Sequence, residues 1–412
     1  MTLPDYTGLT LKEKEELRQR TELRPPLRFP EFTKPWVTDR VKNVFDTITR
    51  GKVLPTNLMK SAPNNEYRYP VYSSQTKNYG VIGYYNQFLF DSIITWTTDG
   101  YAGETKFRKG KFYATNICGA LISNSGLCNN CIAEAINKVT PLYVTSGVFP
   151  KLMNRHMAEV LFSYPEEGEE QKKISKLMQD VDDLIYQTDL FLEKYYLLKR
   201  AVIERVYLTS LDAKRPRCRF PGFTEEWKVA TLSDLATIVK PARKENIPDR
   251  FIYVDLEAVK GTILLKERIE EKATAPSRAK LVPKKGDIFF QLVRPYQKNN
   301  YFFEKESDIP YVFSNGYGQI RVNQEHDPYF VFSALQSWDV HKRMIVNTQG
   351  GLYPAMKAST LGEIKLGYSP NIEEQKKISH LIKTIDKQIE TITTRLANLR
   401  KLKKGLVQQM FC

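Results

Sequence analysis

The heptapeptide Glu-Glu-Gln-Lys-Lys-Ile-Ser occurs twice in this chain of 412 residues, at 169–175 and at 373–379. A related segment precedes each copy: Arg-Phe-Pro-Glu-Phe-Thr-Lys-Pro-Trp at 28–36 and Arg-Phe-Pro-Gly-Phe-Thr-Glu-Glu-Trp at 219–227. The heptapeptides are 204 residues apart and the preceding segments 191, so both landmarks keep their order in each half. This pattern indicates a tandem duplication, in which a variable region is followed by a shared segment.

Each shared segment predicts a long amphipathic helix. In the second copy the apolar residues recur mostly at steps of four and three, which places them on one stripe: Ile378, Ile382, Ile385, Ile389, Ile392, Leu396, Leu399, Leu402, Leu406 and Met410. The first copy repeats the spacing from Ile174 to Val206. Asn371 with Glu374 predicts a capping box at the start of the second helix.

Helices of about 40 residues, roughly 60 Å long, cannot bury such a stripe alone. The stripes therefore predict that the two helices pair as an antiparallel coiled coil, with packing of each helix against its own half as the alternative. Residues 166–212 carry a net charge of −4 and residues 369–412 a net charge of +5. Opposite charges favour pairing between the two helices over self-association of either.

The remaining sequence predicts a mixed α+β chain with two α/β domains. We expect an N-terminal arm at 1–27, variable domains at 28–165 and 213–368, a central helix at 166–212 and a C-terminal helix at 369–412; the resemblance described below implies that the two variable domains are target-recognition domains. Strand-like runs punctuated by Gly, Pro, Asn and Asp include RYPVYS, VIGYY, FLFDSIITW and KFYATNICGALI in the first domain, and FIYVDL, GDIFFQLV, YVFSN and GQIRV in the second. Short helices are expected near Cys131–Lys138 and Tyr329–Val340.

Charge and composition narrow the classes of partner. The formal net charge is +15, and residues 28–165 and 213–368 each contribute +7 of it. This excess on the two variable regions favours a polyanion such as nucleic acid and excludes an acidic ligand mimic. No apolar stretch is long enough to span a membrane. Five cysteines, an odd and low number, favour a reducing, cytoplasmic setting without a disulfide framework.

The common signatures of catalysis are missing from the sequence. Cys128 and Cys131 form a CxxC pair without a second pair to complete a zinc site, so we interpret them as reduced structural cysteines. There is no P-loop motif and no complete dinucleotide-binding glycine motif. Asp327-Pro-Tyr-Phe resembles an amino-methyltransferase motif but lacks its second proline. We therefore predict no catalytic residue and no metal site.

Polar and basic clusters between the strand-like runs are candidates for contact with DNA. Arg and Lys suit guanine, Asn and Gln suit adenine, and Thr suits the thymine methyl group. The candidates in the first domain are Ser74, Gln75, Lys77, Asn78, Thr97, Thr98, Asp99, Tyr101, Lys106 and Arg108. Those in the second are Gln291, Arg294, Tyr296, Gln297, Lys298, Asn299 and, after a Gly-Gly pair, Lys357.

The combined pattern resembles the specificity subunit of type I restriction-modification systems. The similarity covers about 28–412 and includes the two framed variable regions and the ending KKGLVQQMF at 403–411. VYSSQTKNYGVIGYY, ITWTTDG and KFYATNICG are similar to one type of target-recognition domain of that family, and LVRPYQKN and SNGYGQIRV to another. Two features depart from it: the first helix ends in VIERVYL, and the arm at 1–27 is longer than the family pattern needs.

The resemblance implies a non-catalytic, cytoplasmic DNA-binding subunit. Each target-recognition domain would read one half of a bipartite site in double-stranded DNA, and the helix pair would set the spacer between the half-sites. Two methylation subunits would dock on this chain, and restriction subunits would join them. S-adenosylmethionine, Mg²⁺ and ATP would belong to those partners. The alternatives are a standalone methyltransferase or nuclease, and a coiled-coil scaffold that does not bind DNA.

Overall fold

The computed structural model describes residues 8–75, 77–145, 147–346 and 354–412; the side chains of Lys77 and Ile345 lie outside the description. The chain divides into two compact units. Unit 1 combines Met1–Gln187 with Leu396–Cys412, and unit 2 is Thr188–Arg395. Each proposed target-recognition domain falls within one unit, and each unit also takes part of both long helices.

Unit 1 is built around a six-stranded sheet and a separate two-stranded one. Its elements in chain order are α1 (Leu11–Arg20), β1 (Val37–Arg40), α2 (Val41–Val44), β2 (Thr47–Arg50), β3 (Tyr69–Tyr72), β4 (Val81–Tyr85), β5 (Phe90–Thr97), β6 (Thr105–Ala114), β7 (Cys118–Ile122), α3 (Asn130–Val139), α4 (Asn154–Glu159), β8 (Leu161–Tyr164) and the start of α5 (Gly168–Val206).

The large sheet of unit 1 has the order β2-β7-β5-β6-β3-β4, and β1 pairs with β8. All neighbours are antiparallel except β3 and β6, which are parallel. Helix α3, close to the helix predicted at Cys131–Lys138, packs its apolar face into the same core as Trp96, Leu121 and Phe162. This core also takes in Met178 of α5, so the sheet domain and the long helix share one hydrophobic interior.

Unit 2 has a different sheet arrangement. Its elements are β9 (Lys228–Thr231), α6 (Leu232–Leu235), β10 (Ala236–Val239), β11 (Arg250–Val254), β12 (Val259–Lys260), β13 (Ile263–Leu264), β14 (Arg268–Glu271), β15 (Ala279–Leu281), β16 (Ile288–Gln291), β17 (Tyr301–Phe302), β18 (Tyr311–Ser314), β19 (Tyr317–Val322), α7 (Pro328–Ala334), α8 (Trp338–Val346), α9 (Ala358–Gly362), β20 (Lys365–Tyr368) and most of α10 (Ile372–Met410).

Two four-stranded sheets form the second domain, with orders β10-β19-β16-β17 and β14-β11-β18-β15. The single helix predicted at Tyr329–Val340 was wrong in its extent, because the segment forms two helices, α7 and α8, separated by a break after Ala334. The eight strand-like runs are confirmed as strands in both domains. The flanking pairs β1–β8 and β9–β20 occupy matching positions in the duplication.

The two predicted long helices are confirmed: α5 and α10 each span 39 residues. Within unit 2 their directions are opposed, since Lys199 Nζ lies 2.5 Å from Asp386 Oδ1 while Tyr196, earlier in α5, bonds Thr393, later in α10. The matching pair in unit 1 joins Lys403 Nζ to Asp182 Oδ1 at 2.7 Å. These pairs connect positions related by the duplication, so the same antiparallel contact is made twice.

The repeated heptapeptide has a repeated structural role. In unit 1 Arg28 Nε and Nη2 each lie 2.7 Å from an oxygen of Glu170, and the indole Nε1 of Trp36 donates to the same carboxylate at 3.3 Å. In unit 2 Arg219 and Trp227 make the same contacts with Glu374. Glu374 is therefore no member of a capping box: Asn371 caps the amides of the first turn, but Glu374 points to Arg219.

The glutamine and serine of each heptapeptide form hydrogen bonds that connect the long helix to a shorter helix of its domain, α3 or α7. The side-chain oxygen of Gln171 accepts from Asn129, the N-cap of α3, and Ser175 donates to the same Asn129. Gln375 and Ser379 bond the N-cap of α7, Asp327, in the corresponding way. One buried ion pair and the capped start of one shorter helix thus fix each domain to the long helix that follows it.

The two departures from the family pattern have structural explanations. Tyr207, just beyond the end of α5, packs edge-on against Trp227, and Phe411 packs in the same way against Trp36. VIERVYL therefore supplies an aromatic ring where the second copy has Phe411. In the arm, α1 buries Arg18, whose Nη1 donates to the backbone oxygen of Cys412 at 3.0 Å. Leu23 joins the core beside Trp36, so residues 11–23 are an integral part of unit 1.

Candidate nucleic-acid interface

Residues 77–80, which precede β4 in the first domain, have an unusual backbone. Asn78 and Tyr79, between β3 and β4, adopt left-handed φ angles of 48° and 55°, which non-glycine residues seldom do. Arg108 on β6 supports them: its Nη1 donates to the oxygen of Tyr79 at 2.7 Å, and its guanidinium lies 4.0 Å from the centre of the Tyr72 ring. The arginine therefore supports the loop, while Asn78 lies exposed on it.

Three residues predicted to contact DNA from the first domain are buried instead. Ser74 and Thr98 donate their hydroxyls to the oxygen of Ile117, and Thr97 donates to the oxygen of Tyr101. A buried hydroxyl with an internal acceptor is not available to a base edge. We therefore correct the prediction for these three side chains: they hold the loops in place behind the surface.

The remaining candidates of the first domain lie at or near the surface. Tyr101 is 70% exposed, and Gln75 is exposed while its amide nitrogen donates to Val81 at 2.8 Å. Asp99 lies 3.7 Å from Lys151, and Lys106 pairs with Glu104. The side chain of Lys77 lies outside the described residues. Gln75, Asp99 and Tyr101 lie on loops that follow β3 and β5, and Lys106 is the second residue of β6.

A cleft of about 790 Å³ in unit 1 brings three of the candidates together. Asn78, Lys106 and Arg108 line one side, and the long helices line the other with residues that include Asp182 and Lys403. Burial alone would lower the pKa of Lys403, but the carboxylates of Glu134 and Asp182 outweigh it and raise the pKa above its usual value. The cleft therefore carries charges of both signs, and on its helix side Lys403 is paired with Asp182 and Glu134.

The second domain presents a loop with the same kind of strain. Arg294 and Lys298 have φ angles of 55° and 56° and flank the short helical turn Pro295–Gln297. Gln291 is only 1% exposed, and its amide bonds the side chain of Gln297 and the backbone of Asn299. The prediction of DNA contact at Gln291 is therefore corrected as well. Gln291 anchors the loop from its buried side. The side-chain oxygen of Asn300 also anchors it, by accepting a hydrogen bond from the backbone nitrogen of Gln291 at 2.9 Å.

The other predicted residues of the second domain surround this loop. Tyr296 and Gln297 are exposed, Arg294, Lys298 and Asn299 are half-buried, and the side-chain oxygen of Asn299 accepts from Gly261. The segment 354–356 pairs with 292–294 through two backbone hydrogen bonds, from Arg294 N to Pro354 O at 2.8 Å and from Met356 N to Leu292 O at 3.0 Å. That pairing brings exposed Lys357 to the loop. The Gly-Gly pair before it lies outside the described residues.

One group beside this loop was missed in the sequence. Trp338, the first residue of α8, is 51% exposed, and Lys298 Nζ lies 5.4 Å from its ring centre. Arg200 of α5 lies 5.9 Å from the same ring. The sequence placed Trp338 inside one predicted helix, where an aromatic residue would be interpreted as core. Its position after the break between α7 and α8 is what exposes it.

The residues that could suggest catalysis have structural roles. Asp327 caps α7, and the hydroxyl of Tyr329 donates to Asp386 at 2.7 Å, so the Asp-Pro-Tyr-Phe segment belongs to the fold. Cys118, Cys128 and Cys131 are free thiols, and burial raises the pKa of Cys118 to about 11. In the described part of the chain no group of three or more His, Cys, Asp or Glu side chains could hold a metal ion. The helices described are too short or too polar to cross a membrane.

Comparison with known proteins agrees with this architecture. A family model described as the type I restriction modification DNA specificity domain matches residues 33–190 and 224–401. The crystal structure of a type I restriction-modification system S subunit from M. genitalium has a TM-score of 0.63 at 15% identity, over 95% of this chain and 99% of that one. This likeness shows the shared fold.

Relatives at higher identity come from Mycoplasma pneumoniae. A putative type I specificity subunit is 34% identical over 202 residues, which is 48% of this chain and 52% of that protein. A second, described as the N-terminus of a putative type I specificity subunit, is 39% identical over 127 residues, 30% of this chain and 66% of the relative. The chain spans about half the length of the first relative. Because the family model matches most of this sequence in two successive copies, the chain belongs to the family of type I restriction modification DNA specificity domains.

Proposed function

We propose that this chain is the DNA-reading specificity subunit of a type I restriction-modification complex. Each domain reads one half of a bipartite site in double-stranded DNA, and the paired helices set the spacer between the halves. The chain catalyses no reaction. Methyl transfer, with S-adenosylmethionine, belongs to two methylation subunits docked on it, and the use of ATP and Mg²⁺ belongs to restriction subunits.

The observation that carries this proposal is a set of attachment contacts that is repeated, within this chain, beside two different domains. The contacts Arg28–Glu170 and Arg219–Glu374 are the same, while the sheet orders they support differ. Domains that are attached in the same way but differ in their sheets are what we expect of two modules that perform the same task on different targets. The equal +7 charge of the two domain regions suits a task that involves a polyanion.

The surfaces that we propose contact the DNA bases are the two loops that contain residues with a left-handed backbone conformation. The loop of the first domain includes Gln75 and Asn78, and that of the second includes Arg294, Tyr296 and Gln297. Tyr101, on the separate loop between β5 and β6, is a further candidate in the first domain. Asn and Gln can bond adenine at two points and Arg can bond guanine at two points. Backbone strain of this kind costs roughly 1–3 kcal/mol per residue and is concentrated at functional sites. Lys106, Lys298 and Lys357 would hold phosphates beside the bases.

Duplex binding across a range of salt concentrations tests the proposal. The full chain assembled with its methylation subunits should bind a cognate duplex, and the logarithm of the affinity should fall linearly with that of the salt concentration. Binding that is absent at low salt would instead support a scaffold. Methyl transfer or cleavage by the purified chain alone would support an enzyme and overturn the proposal.

A further inference from the structure

Two cations converge on one exposed indole beside the reading loop of the second domain. Lys298 belongs to the loop and Arg200 to α5, and both lie within 6 Å of the Trp338 ring centre. Neither forms an ion pair with a carboxylate in the described part of the chain. Two like charges held together on a protein surface repel each other, so the arrangement is favourable only if something else compensates.

The neighbouring groups supply part of that compensation. Each cation is attracted electrostatically to the electron-rich face of the exposed indole ring. The carboxylate of Glu204 accepts from the backbone nitrogen of Trp338 at 2.7 Å and offsets one positive charge. The pKa of Lys298 is lowered, first by burial and then by the charge of Arg200, and Glu204 acts in the opposite direction. One positive charge is left without a counterpart.

We propose that Arg200, Lys298 and Trp338 form a binding site for one phosphate group of the DNA backbone next to the half-site read by the second domain. This inference rests on the proposed function, because the reading loop would bring a duplex to this surface. Arg200 and Lys298 supply the charge, and the ring of Trp338 holds both in position. The indole nitrogen of Trp338, which has no hydrogen-bond partner among the described residues, is a further donor. The contact carries no sequence information and fixes the position of the domain on the duplex.

The test compares the salt dependence of duplex binding for single substitutions in the full chain with its methylation subunits. Arg200→Gln should weaken binding at physiological salt and lower the salt slope by about one, equally for cognate and altered bases of the second half-site. Lys298→Asn should behave in the same way, and asparagine tolerates the left-handed backbone at this position. Arg200→Lys keeps the positive charge and should therefore retain most of the salt slope of the parent.

Lys194→Gln is the matched control, since Lys194 is an exposed cation on the same helix in unit 2. It should leave the slope unchanged. Thermal unfolding of each variant should match the parent, because the removed side chains lie at or near the surface. If Arg200→Gln and Lys298→Asn keep the parental slope while the parent binds DNA, the phosphate site is excluded and the proposed function survives. If the parent does not bind at all, the proposed function fails.

A duplex with single neutral methylphosphonate linkages identifies the source of the phosphate. At one position beside the second half-site, the neutral linkage should weaken the parent but have little effect on Arg200→Gln. Inorganic phosphate at equal ionic strength should not compete. If it competes and no linkage shows this coupling, the site binds free phosphate and our assignment to the DNA backbone is wrong.

Discussion

Arg28 and Glu170 face each other across the junction between the first domain and α5, and two nitrogen–oxygen contacts of 2.7 Å join them. Glu170 is fully buried and also accepts from Trp36. The same three-residue contact recurs at Arg219, Trp227 and Glu374. The arginine comes from the Arg-Phe-Pro segment and the glutamate from the heptapeptide. Their ion pair therefore explains why these two motifs, which are distant in sequence, occur together in each repeat.

Removing the charge of Glu170 should destabilise unit 1 strongly. Glu170→Gln leaves Arg28 buried without a counter-charge, a change that typically costs about 3–5 kcal/mol of unfolding free energy. Chemical denaturation followed by tryptophan fluorescence measures the loss. The neighbouring Glu169→Gln, which removes only an exposed pair with Lys172, should leave the unfolding free energy nearly unchanged. Equal losses in the two variants would show that the buried pair has no special role.

Lengthening the helix pair should lengthen the DNA spacer. Seven residues added to α5 between Asp182 and Lys199, and seven to α10 between Asp386 and Lys403, extend each helix by about 10 Å while nearly preserving the apolar stripe. That distance corresponds to about three base pairs of DNA at about 3.4 Å per pair. Mapping the methylation site of the lengthened variant measures the spacer. An unchanged spacer would mean that the helices do not act as a ruler.

Arg294→Ala should affect one half-site only. If Arg294 bonds a guanine at two points, the substitution costs about 1–3 kcal/mol of binding free energy and relaxes the preference at that base. Competition binding with duplexes altered one base at a time measures the effect. Arg278→Ala removes an exposed arginine of the same domain that is not part of the loop, and it should leave the base preference intact. A loss shared equally by all duplexes would make Arg294 a phosphate contact.

Acidification should destabilise unit 2 through His341. Burial, and then the charge of Lys298, lowers the pKa of this histidine to about 4 in the folded chain, compared with about 6.5 when unfolded. Between these values the unfolded chain binds a proton that the folded chain does not, so stability falls as pH drops from about 6.5 to about 4. In His341→Asn, the unfolding midpoint should depend less on pH across this range than it does in the parent. His380→Asn is the control, because His380 is exposed and its substitution should leave the loss of stability on acidification unchanged. If His341→Asn loses as much stability on acidification as the parent, His341 is not the group responsible.

The duplication and the helices could be predicted because they depend on local pattern. The spacing from Ile378 to Met410 is a property of one helix, and it indicated α10 before any tertiary contact was known. Burial of individual polar residues could not be predicted in this way. Thr98 and Gln291 lie at or near the ends of strand-like runs, next to polar loops, where a polar side chain could equally well be exposed. Thr98 is buried because it donates to the backbone oxygen of Ile117, which is 19 residues later in the chain, and Gln291 because it accepts from the backbone of Asn299 across a tight loop.

The site beside Trp338 was missed for a similar reason. Its exposure depends on the break between α7 and α8, and its basic neighbours come from segments about 40 and 140 residues earlier in the chain. The left-handed backbone of Arg294 and Lys298 likewise follows from the tight turn and its anchors and has no marker such as glycine in the sequence.

The most direct test of two independently reading modules is to map methylated adenines in a genome carrying this chain and its partner subunits. The same map is then made after residues 28–165 are replaced by the equivalent domain of another family member. We expect a bipartite, asymmetric site with a fixed unread spacer, of which the replacement changes one half and leaves the other half unchanged. A continuous site, or a replacement that changes both halves, would contradict the account.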